Sequence, residues 1–302
     1  MTTSIETSAE RTLQLAERVV SSGPVRARAR FSWAEALAYL LLSLGVVVMV
    51  TPFLWMLLTS FKTAPELLQF AFLPQNPTFD NYVRVLTTSS FPRWYVNSIV
   101  IAVISTSTVI FFDSLVGYTL NKFEFPGKNL IFIGILGTLM VPTEMLIIPW
   151  YTMSVDFGWH VGLAQYWGIA FPGVITATGI FLMRQFFDGV PSELLDAARI
   201  DGVNEFGIWW RIAMPLVKPA IAALAIFNFI GNWNAYLWPL IVANGRDYYT
   251  LPVGLSFFRG ESTTEWEKIM TAASLASIPL LVVFLLFQKQ IIKGIALTGL
   301  KA

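Results

Sequence analysis

A short acidic segment between two long apolar runs holds the most distinctive spacing of residue types in this sequence. From Pro191 to Gly202 it reads PSELLDAARIDG. Carboxylates presented on a small helical face can recognise basic groups through charge-assisted hydrogen bonds. The chain has one histidine, His160, which we expect in a loop, and no cysteine, so a metal site or a Ser-His nucleophile is hard to build.

The same segment has the signals of a short helix. Ser192 can accept a backbone N–H as the N-cap, and acidic residues follow in the first turn, where the helix dipole is positive. Ala197 and Ala198 are strong helix formers with almost no side chain, and Gly202 can supply the left-handed residue that ends a helix. The sequence predicts a stub with a small, flat face.

A second, amphipathic helix is predicted directly after the stub. Asn204 can cap it. Spacing of i, i+3, i+4 and i+7 gives it an apolar side suited to the membrane interface, formed by Phe206, Trp209, Trp210 and Ala213. Pro215 should interrupt this helix before the next apolar run.

Together the two helices resemble the EAA loop of binding-protein-dependent ABC importer permeases. The match runs from Asp196-Ala197-Ala198 through Gly202 to Ile212-Ala213-Met214-Pro215, with Asp196 in place of Glu and Met214 in place of Leu. In that family the loop is a cytoplasmic coupling helix seated in a cleft of the ATPase subunit. The alternative is an interfacial loop without a partner. The resemblance implies ATPase-coupling roles for Glu193, Asp196, Ala197, Ala198, Asp201 and Gly202.

Further segments are similar to the carbohydrate-uptake class 1 branch of this MetI-like family and to its maltose-type second membrane subunit. They are 61–94, 229–240 and 288–294, so the resemblance covers the chain from about Phe31. It implies a heterodimer with a second permease subunit, two ATP-binding subunits and an extracytoplasmic solute-binding protein. The sequence lacks a G-x-x-x-x-G-K-[ST] phosphate loop. We therefore expect a transport subunit that is not an enzyme and holds no cofactor, with ATP and Mg on partner subunits.

The composition is that of an integral membrane protein, with 55% hydrophobic and 13% charged residues. Its apolar runs are continuous rather than alternating, so we expect helices and not strands. The predicted fold is all-α, with six transmembrane helices and a cytoplasmic coupling helix, as in the type I ABC importer transmembrane fold. The predicted spans are Ala34–Ser60, Asn97–Leu120, Leu130–Met153, Trp167–Phe187, Leu216–Val242 and Ile269–Ile292.

The distribution of basic residues predicts the orientation of these spans. With the N-terminus inside, 14 of the 20 Lys and Arg residues lie in inner segments. Both termini and the acidic stub are then cytoplasmic, in a multi-pass protein of the plasma (inner) membrane. The predicted organisation is a cytoplasmic tail at 1–30, the first helix and an extracytoplasmic loop at 31–92, the permease domain at 93–290 and a cytoplasmic tail at 291–302.

Polar residues inside the apolar runs are candidates for a translocation path, since burying them in a membrane is costly. For Asp113 we expect a hydrogen bond to a neighbouring helix rather than solute contact. Glu144, beside Pro142, either lines a polar path or snorkels to the outer interface. Amide and aromatic groups suited to sugar hydroxyls and CH faces occur together at Asn228, Asn232, Trp233, Asn234 and Tyr236. The alternative for these residues is interhelical hydrogen bonding and an aromatic belt.

Few Lys or Arg residues lie in the span interiors, so a fixed positive site for phosphate is missing and a neutral sugar or polyol is favoured. A glycerol-phosphate-type ABC permease is the alternative. An ion-driven secondary transporter would need repeated halves, and no internal repeat is visible. An intramembrane hydrolase would need a base, and no histidine lies within a predicted span. The net charge of +1 offers no basic field for nucleic acid.

Overall fold

The computed structural model describes residues 33–69, 71–258 and 265–299. Helices dominate this part of the chain, and no strand occurs in it, as predicted. The chain divides into two compact units, residues 1–53 and 54–302. The predicted tail at 1–30 lies outside the described residues.

The α-helices are numbered here in chain order. They are α1 (Trp33–Thr59), α2 (Ala64–Leu67), α3 (Asp80–Thr87), α4 (Phe91–Lys122), α5 (Lys128–Gly137), α6 (Ile147–Asp156), α7 (Gln165–Ala170), α8 (Ala177–Asp188), α9 (Ser192–Ile200), α10 (Glu205–Ile208), α11 (Met214–Leu216), α12 (Lys218–Trp233), α13 (Leu237–Val242), α14 (Leu251–Ser256) and α15 (Trp266–Gly299).

Three helices are each long and apolar enough to cross a membrane by themselves: α1, α4 and the part of α15 from Trp266 to Gln288. Three further spans exist if each of three bent helix pairs counts as one. The described residues thus accommodate up to six spans, in agreement with the predicted number. The backbone of α15 continues as a helix past the predicted start of the tail at residue 291.

The bent pairs correct the predicted continuous runs. The third span, predicted as Leu130–Met153, turns by 95° between Met140 and Thr143. Pro142 lies in the break, where its missing N–H and its ring prevent a continuous helix. The fourth span, predicted as Trp167–Phe187, turns by 58° between Gly173 and Ala177.

The fifth predicted span, Leu216–Val242, is also not one helix. α11 and α12 meet at Val217, where the chain turns by 85°, and Pro219 begins the next helix. α12 then ends at Trp233, and α13 starts separately at Leu237. Hydropathy identifies which residues are apolar, but it carries no information on the direction of the backbone. It therefore did not predict these turns.

The segment between α1 and α4 contains the short helices α2 and α3, joined by turns that buried side chains hold. The Asn81 side-chain amide donates to the carbonyls of Ser60 at 2.9 Å and Lys62 at 2.8 Å. The Glu66 carboxylate accepts from the N–H of Asn76 at 2.8 Å. Asn81 thus pairs carbonyls that follow the end of α1, and Glu66 pairs a backbone group within the loop.

The central helix of the second unit is α4, which packs against α8 and α12. Its 32 residues span about 48 Å, enough to cross a bilayer. Close approach to α8 requires a glycine: a Cβ on Gly117 would lie 2.8 Å from the Cβ of Met183 and 2.9 Å from the backbone N of Arg184. The core of the unit is built around this contact and includes Tyr118 and Phe187.

We expect Gly117→Ala to destabilise the second unit by about 1–3 kcal/mol, because the added methyl group overpacks a contact with backbone that cannot move alone. The measurement is the midpoint of thermal unfolding of the full chain in detergent, which should fall by several degrees. Gly134→Ala on α5 is the matched control, since no atom lies within 4 Å of its added Cβ. Equal midpoints for the two variants would contradict this account of the α4–α8 contact.

Candidate functional site

The acidic stub, α9, is seated on the bundle through one side only. Leu195 is 1% exposed and Ala198 is 6% exposed, and both pack in the core cluster that contains Trp209. Glu193, Leu194 and Ala197 are exposed on the other side. Ala198 therefore does not share an outward small face with Ala197, because it lies one turn after Leu195 on the buried side. Its coupling role stays a prediction, and it would act through packing.

The beginning of α9 differs from the prediction. Ser192 is the first helical residue, Pro191 occupies the N-cap position, and no side-chain hydrogen bond caps this end. The predicted N-cap role of Ser192 is wrong, because a residue that already has helical geometry does not hold its hydroxyl in the capping position. Glu193 remains in the first turn, where its negative charge interacts favourably with the positive end of the helix dipole.

The end of α9 matches the prediction. Gly202 has φ +79°, and its N–H donates to the carbonyl of Arg199 at 3.0 Å. The N–H of Val203 donates to the carbonyl of Ala198 at 3.0 Å, which completes a Schellman motif. A Cβ on Gly202 would meet no atom within 4 Å, so backbone conformation and not space requires glycine here.

Arg199 joins the two helices of the loop, and the sequence analysis did not identify it. Its guanidinium donates to Asp196 Oδ1 at 2.6 Å and to the two carboxylate oxygens of Glu205 at 2.7 and 3.2 Å. These hydrogen bonds, first to Glu205 and then to Asp196, raise the pKa of Arg199 above its ordinary value. The i, i+3 spacing from Asp196 was the available signal. Asp196 is thus partly neutralised within the chain.

The remaining outward surface of the loop is apolar with an acidic edge. Glu193 and Asp201 are exposed, and neither forms an ion pair within the described part of the chain. Ile200 is 87% exposed, and large apolar side chains are also exposed at Leu194, Phe206 and Trp210. An exposed apolar cluster of this kind is typical of a surface that contacts either another protein or the membrane interface.

The helix after α9 begins at the predicted cap, but it ends differently from the prediction. The Asn204 side-chain oxygen accepts from the N–H of Gly207 at 2.7 Å, which confirms the N-cap. A π-helical turn from Trp209 to Ala213 then changes the side-chain register, so that Trp209 is buried while Trp210 is exposed. The predicted single apolar side is therefore divided. Pro215 lies inside α11, and the interruption follows at Val217.

Asp113 forms the hydrogen bond to a neighbouring segment that we predicted. It is fully buried on α4, and it accepts from the backbone N–H of Thr176 at 2.9 Å and from the Thr176 hydroxyl at 2.6 Å. The Thr176 hydroxyl in turn accepts from the N–H of Gly179 at 3.0 Å and so caps α8. Two helices are thus joined at the break of the fourth span.

Two candidate path residues are engaged in hydrogen bonds within the bundle. The Asn232 amide donates to the side-chain oxygen of Asn228 at 2.9 Å, and the hydroxyl of Thr106 on α4 donates to the same oxygen at 3.2 Å. This is the interhelical bonding that stood as the alternative. A role for these amides in a path stays a prediction.

The other candidate path residues lie apart from these amides. Trp233 is 2% exposed, donates to the carbonyl of Ala276 at 3.2 Å and stacks on Phe229, so its ring is covered by protein. Asn234 and Tyr236 are exposed in the break between α12 and α13. Glu144 is exposed in the short turn after Pro142. Their solute contact stays a prediction.

His160 lies in a turn, as expected. Within the described residues, no group of three or more His, Asp or Glu side chains is placed to hold a metal ion.

Comparison with protein-family models matches residues 113–297 to the binding-protein-dependent transport system inner membrane component. Similar curated proteins include the arabinooligosaccharides transport system permease protein AraQ of Bacillus subtilis, 36% identical over 89% of this chain and 95% of that protein. The trehalose/maltose transport system permease protein MalG of Thermococcus litoralis is 33% identical over 88% of this chain and 98% of its own length. The sn-glycerol-3-phosphate transport system permease protein UgpE of Brucella abortus is 33% identical, with coverages of 88% and 97%.

A solved structure has the same fold. It is the crystal structure of a bacterial ABC transporter involved in the import of the acidic polysaccharide alginate. The TM-score is 0.76 at 24% identity, over 86% of this chain and 98% of that chain.

We expect Arg199→Ala to loosen the joint between α9 and α10, because it releases two carboxylates from one guanidinium. A partly exposed ion-pair network of this size contributes about 1 kcal/mol, so amides of residues 192–208 should exchange hydrogen roughly fivefold faster. Hydrogen exchange of the full chain, read by mass spectrometry, measures this. The control is Arg211→Ala, since Arg211 is exposed and makes no ion pair within the described residues. Equally faster hydrogen exchange in both variants would contradict the role of Arg199 in joining α9 to α10.

Proposed function

We propose that this chain moves a sugar or related polyol. The premise is its family: the chain belongs to the binding-protein-dependent transport system inner membrane components and is a permease subunit of an ATP-binding-cassette importer. In this proposal its spans form the translocation path together with a second permease subunit. Two separate subunits bind and hydrolyse ATP with Mg, and an extracytoplasmic solute-binding protein delivers the solute.

The observation that carries the coupling role is the seating of α9. Its inner side, Leu195 and Ala198, is fixed in the core, while its outer side presents Ala197, Ile200 and the acidic Glu193. A push on the outer side is therefore passed to the packed helices beneath rather than absorbed by a loose loop. Closure of the ATP-binding subunits would supply that push and shift the bundle from inward-facing to outward-facing.

The orientation follows from the same role. The proposal places α9 in the cytoplasm, where ATP is available, and this agrees with the excess of Lys and Arg in the inner segments. Both termini would then be cytoplasmic, and the loops after α1, α6 and α13 would face outward to the solute-binding protein.

Exposed apolar side chains on two helices support the presence of a second membrane subunit. α5, α6 and the turns between them expose large apolar side chains, including Met140 at 86% and Ile148 at 75%. In the bilayer these residues can contact either lipid or another apolar helix. A neighbouring helix packed there would bury these side chains against protein.

The proposed solute class rests on two observations. AraQ and MalG are named for the transport of arabinooligosaccharides and of trehalose or maltose. In addition, no Lys or Arg lies within the middle part of α1, α4 or α12, so the described part of this subunit supplies no cation for a phosphate there. Glycerol 3-phosphate is the second candidate, because UgpE is similar over the same length.

We expect Gly202→Val to reduce uptake at least about tenfold while ATP hydrolysis by the assembled complex continues, because a β-branched residue strains the left-handed turn that ends α9. The measurement is solute uptake per ATP hydrolysed in proteoliposomes. Gly127→Val is the matched control: Gly127 also has positive φ, at +82°, and open space around it, but it lies outside the α9 loop. Unchanged transport in Gly202→Val would contradict the coupling role.

We also expect uptake of labelled arabinooligosaccharide, maltose or trehalose to depend on ATP and on a solute-binding protein. Uptake into membrane vesicles should stop with vanadate while the proton and sodium gradients are intact. If glycerol 3-phosphate alone is taken up, the solute class is corrected and the coupling role is unaffected. Uptake that collapses only with an ion gradient would contradict the importer assignment.

A further inference from the structure

The contact between Asp113 and the start of α8 is built around a carboxylate. Both carboxylate oxygens are engaged by Thr176, and a Cβ on Gly179 would overlap Asp113 Oδ2, so the first turn of α8 has room for this carboxylate only because residue 179 is glycine. A negative group at this position also meets the positive end of the α8 dipole. Burial of an ionisable group at this depth is costly. Such a group is therefore expected to have a function beyond filling space.

The other end of α8 is tied to α4 as well. The Asn121 side-chain amide donates to the carbonyl of Arg184 at 3.1 Å and to Asp188 at 3.3 Å. Lys122 Nζ donates to the carbonyl of Val190 at 2.6 Å, in the link of residues 189–191 that connects α8 to α9. With Gly117 in close contact between the two ends, α4 and α8 are fixed along their whole common length.

The beginning of α4 is bonded to a different part of the bundle. The Asn97 side-chain amide donates to the carbonyls of Asp247 at 2.8 Å and Tyr249 at 2.9 Å, and its oxygen accepts from the Tyr166 hydroxyl at 2.7 Å. The Ser98 hydroxyl accepts from the N–H of Leu251 at 2.7 Å. Asn97 lies about 24 Å along α4 from Asp113, at 1.5 Å per residue. One helix therefore carries hydrogen bonds to the α9 link at one end and to the loop of residues 246–251 at the other.

We propose that Asp113 is a positioning residue that transmits the movement of α9 through α8 to α4, and through α4 to the loop of residues 246–251. The inference rests on the proposed coupling function of α9. α8 starts directly after the 58° break at residues 174–176, so its first turn has no continuous helix before it to hold its direction. The hydrogen bonds from Thr176 to Asp113 supply that constraint. Without them, the first turn of α8 can pivot at the break when α9 is pushed, and movement reaches α4 only through the Asn121 and Lys122 hydrogen bonds at the other end of α8.

The test uses the absence of cysteine in the native chain. Two single-cysteine reporters are made in the full chain, Ile200→Cys on α9 and Arg246→Cys in the loop, since both side chains are exposed. Each reporter is assembled with its partner subunits in proteoliposomes. The maleimide labelling rate is compared between the nucleotide-free state and the state trapped with ATP and vanadate. In the parent protein both rates should change with nucleotide, by about threefold or more.

Asp113→Ala and Thr176→Val should leave the response at position 200 within about twofold of the parent and reduce the response at position 246 by about threefold or more, since only the Asn121 and Lys122 bonds then remain. Thr176→Ser, which keeps the hydroxyl, should restore it, and Asp113→Asn, which keeps one acceptor, should restore it in part. Ser114→Ala is the matched control, because Ser114 is also fully buried on α4 but bonds to the Ile110 carbonyl of its own helix. It should behave as the parent does.

Two results overturn the inference. A full response at position 246 in both Asp113→Ala and Thr176→Val shows that transmission does not pass through this contact, and it leaves the proposed function intact. Loss of both responses in Ser114→Ala as well as in Asp113→Ala shows general damage from buried substitutions rather than positioning. By contrast, a parent protein whose position 200 does not respond to nucleotide overturns the proposed function and the inference with it.

Discussion

A helix that breaks inside a membrane leaves backbone N–H and C=O groups that must be paired within the protein, and this constraint accounts for the polar contacts at the break of the fourth span. There, Thr176 and Asp113 pair the first groups of α8. On the other side of that break, the indole of Trp238 donates to the carbonyls of Gly168 and Ile169, both at 3.1 Å. Side chains supply these partners because the bilayer offers no water in their place.

The same constraint bears on the solute path. In this conformation the side-chain oxygen of Asn228 accepts from the Thr106 hydroxyl on α4 and from the Asn232 amide on its own helix. A sugar hydroxyl that replaced Thr106 on this oxygen would open the bond between α4 and α12. Solute contact at the Asn228 oxygen would therefore be tied to a change in the packing of these two helices.

What the sequence could predict was decided by local chemistry. The turn at Gly202 and the cap at Asn204 depend on one residue and its nearest backbone, so residue type and neighbours were sufficient. That Asp113 would be hydrogen-bonded followed from the cost of burying a carboxylate, but its partner Thr176 could not be named, because it lies 63 residues further along the chain. The 95° and 85° bends, the inward side of Ala198 and the absent cap at Ser192 depend on how segments pack together. Arg199 was missed for the same reason, because Glu205 comes within reach only after the chain turns at Gly202.

The surface that α9 offers to a partner is set by what the bundle has already used. Leu195 and Ala198 are buried in the core, and Arg199 forms ion pairs with both Asp196 and Glu205. What remains outward is apolar at Leu194, Ala197 and Ile200, with Glu193 near one end of the helix and Asp201 at the other. In the proposed coupling role, a complementary cleft would have an apolar floor the length of this nine-residue helix and a basic group at each end. The two like charges at opposite ends of a short helix would fix the line along which its axis lies in the cleft, while the apolar middle would supply most of the area buried.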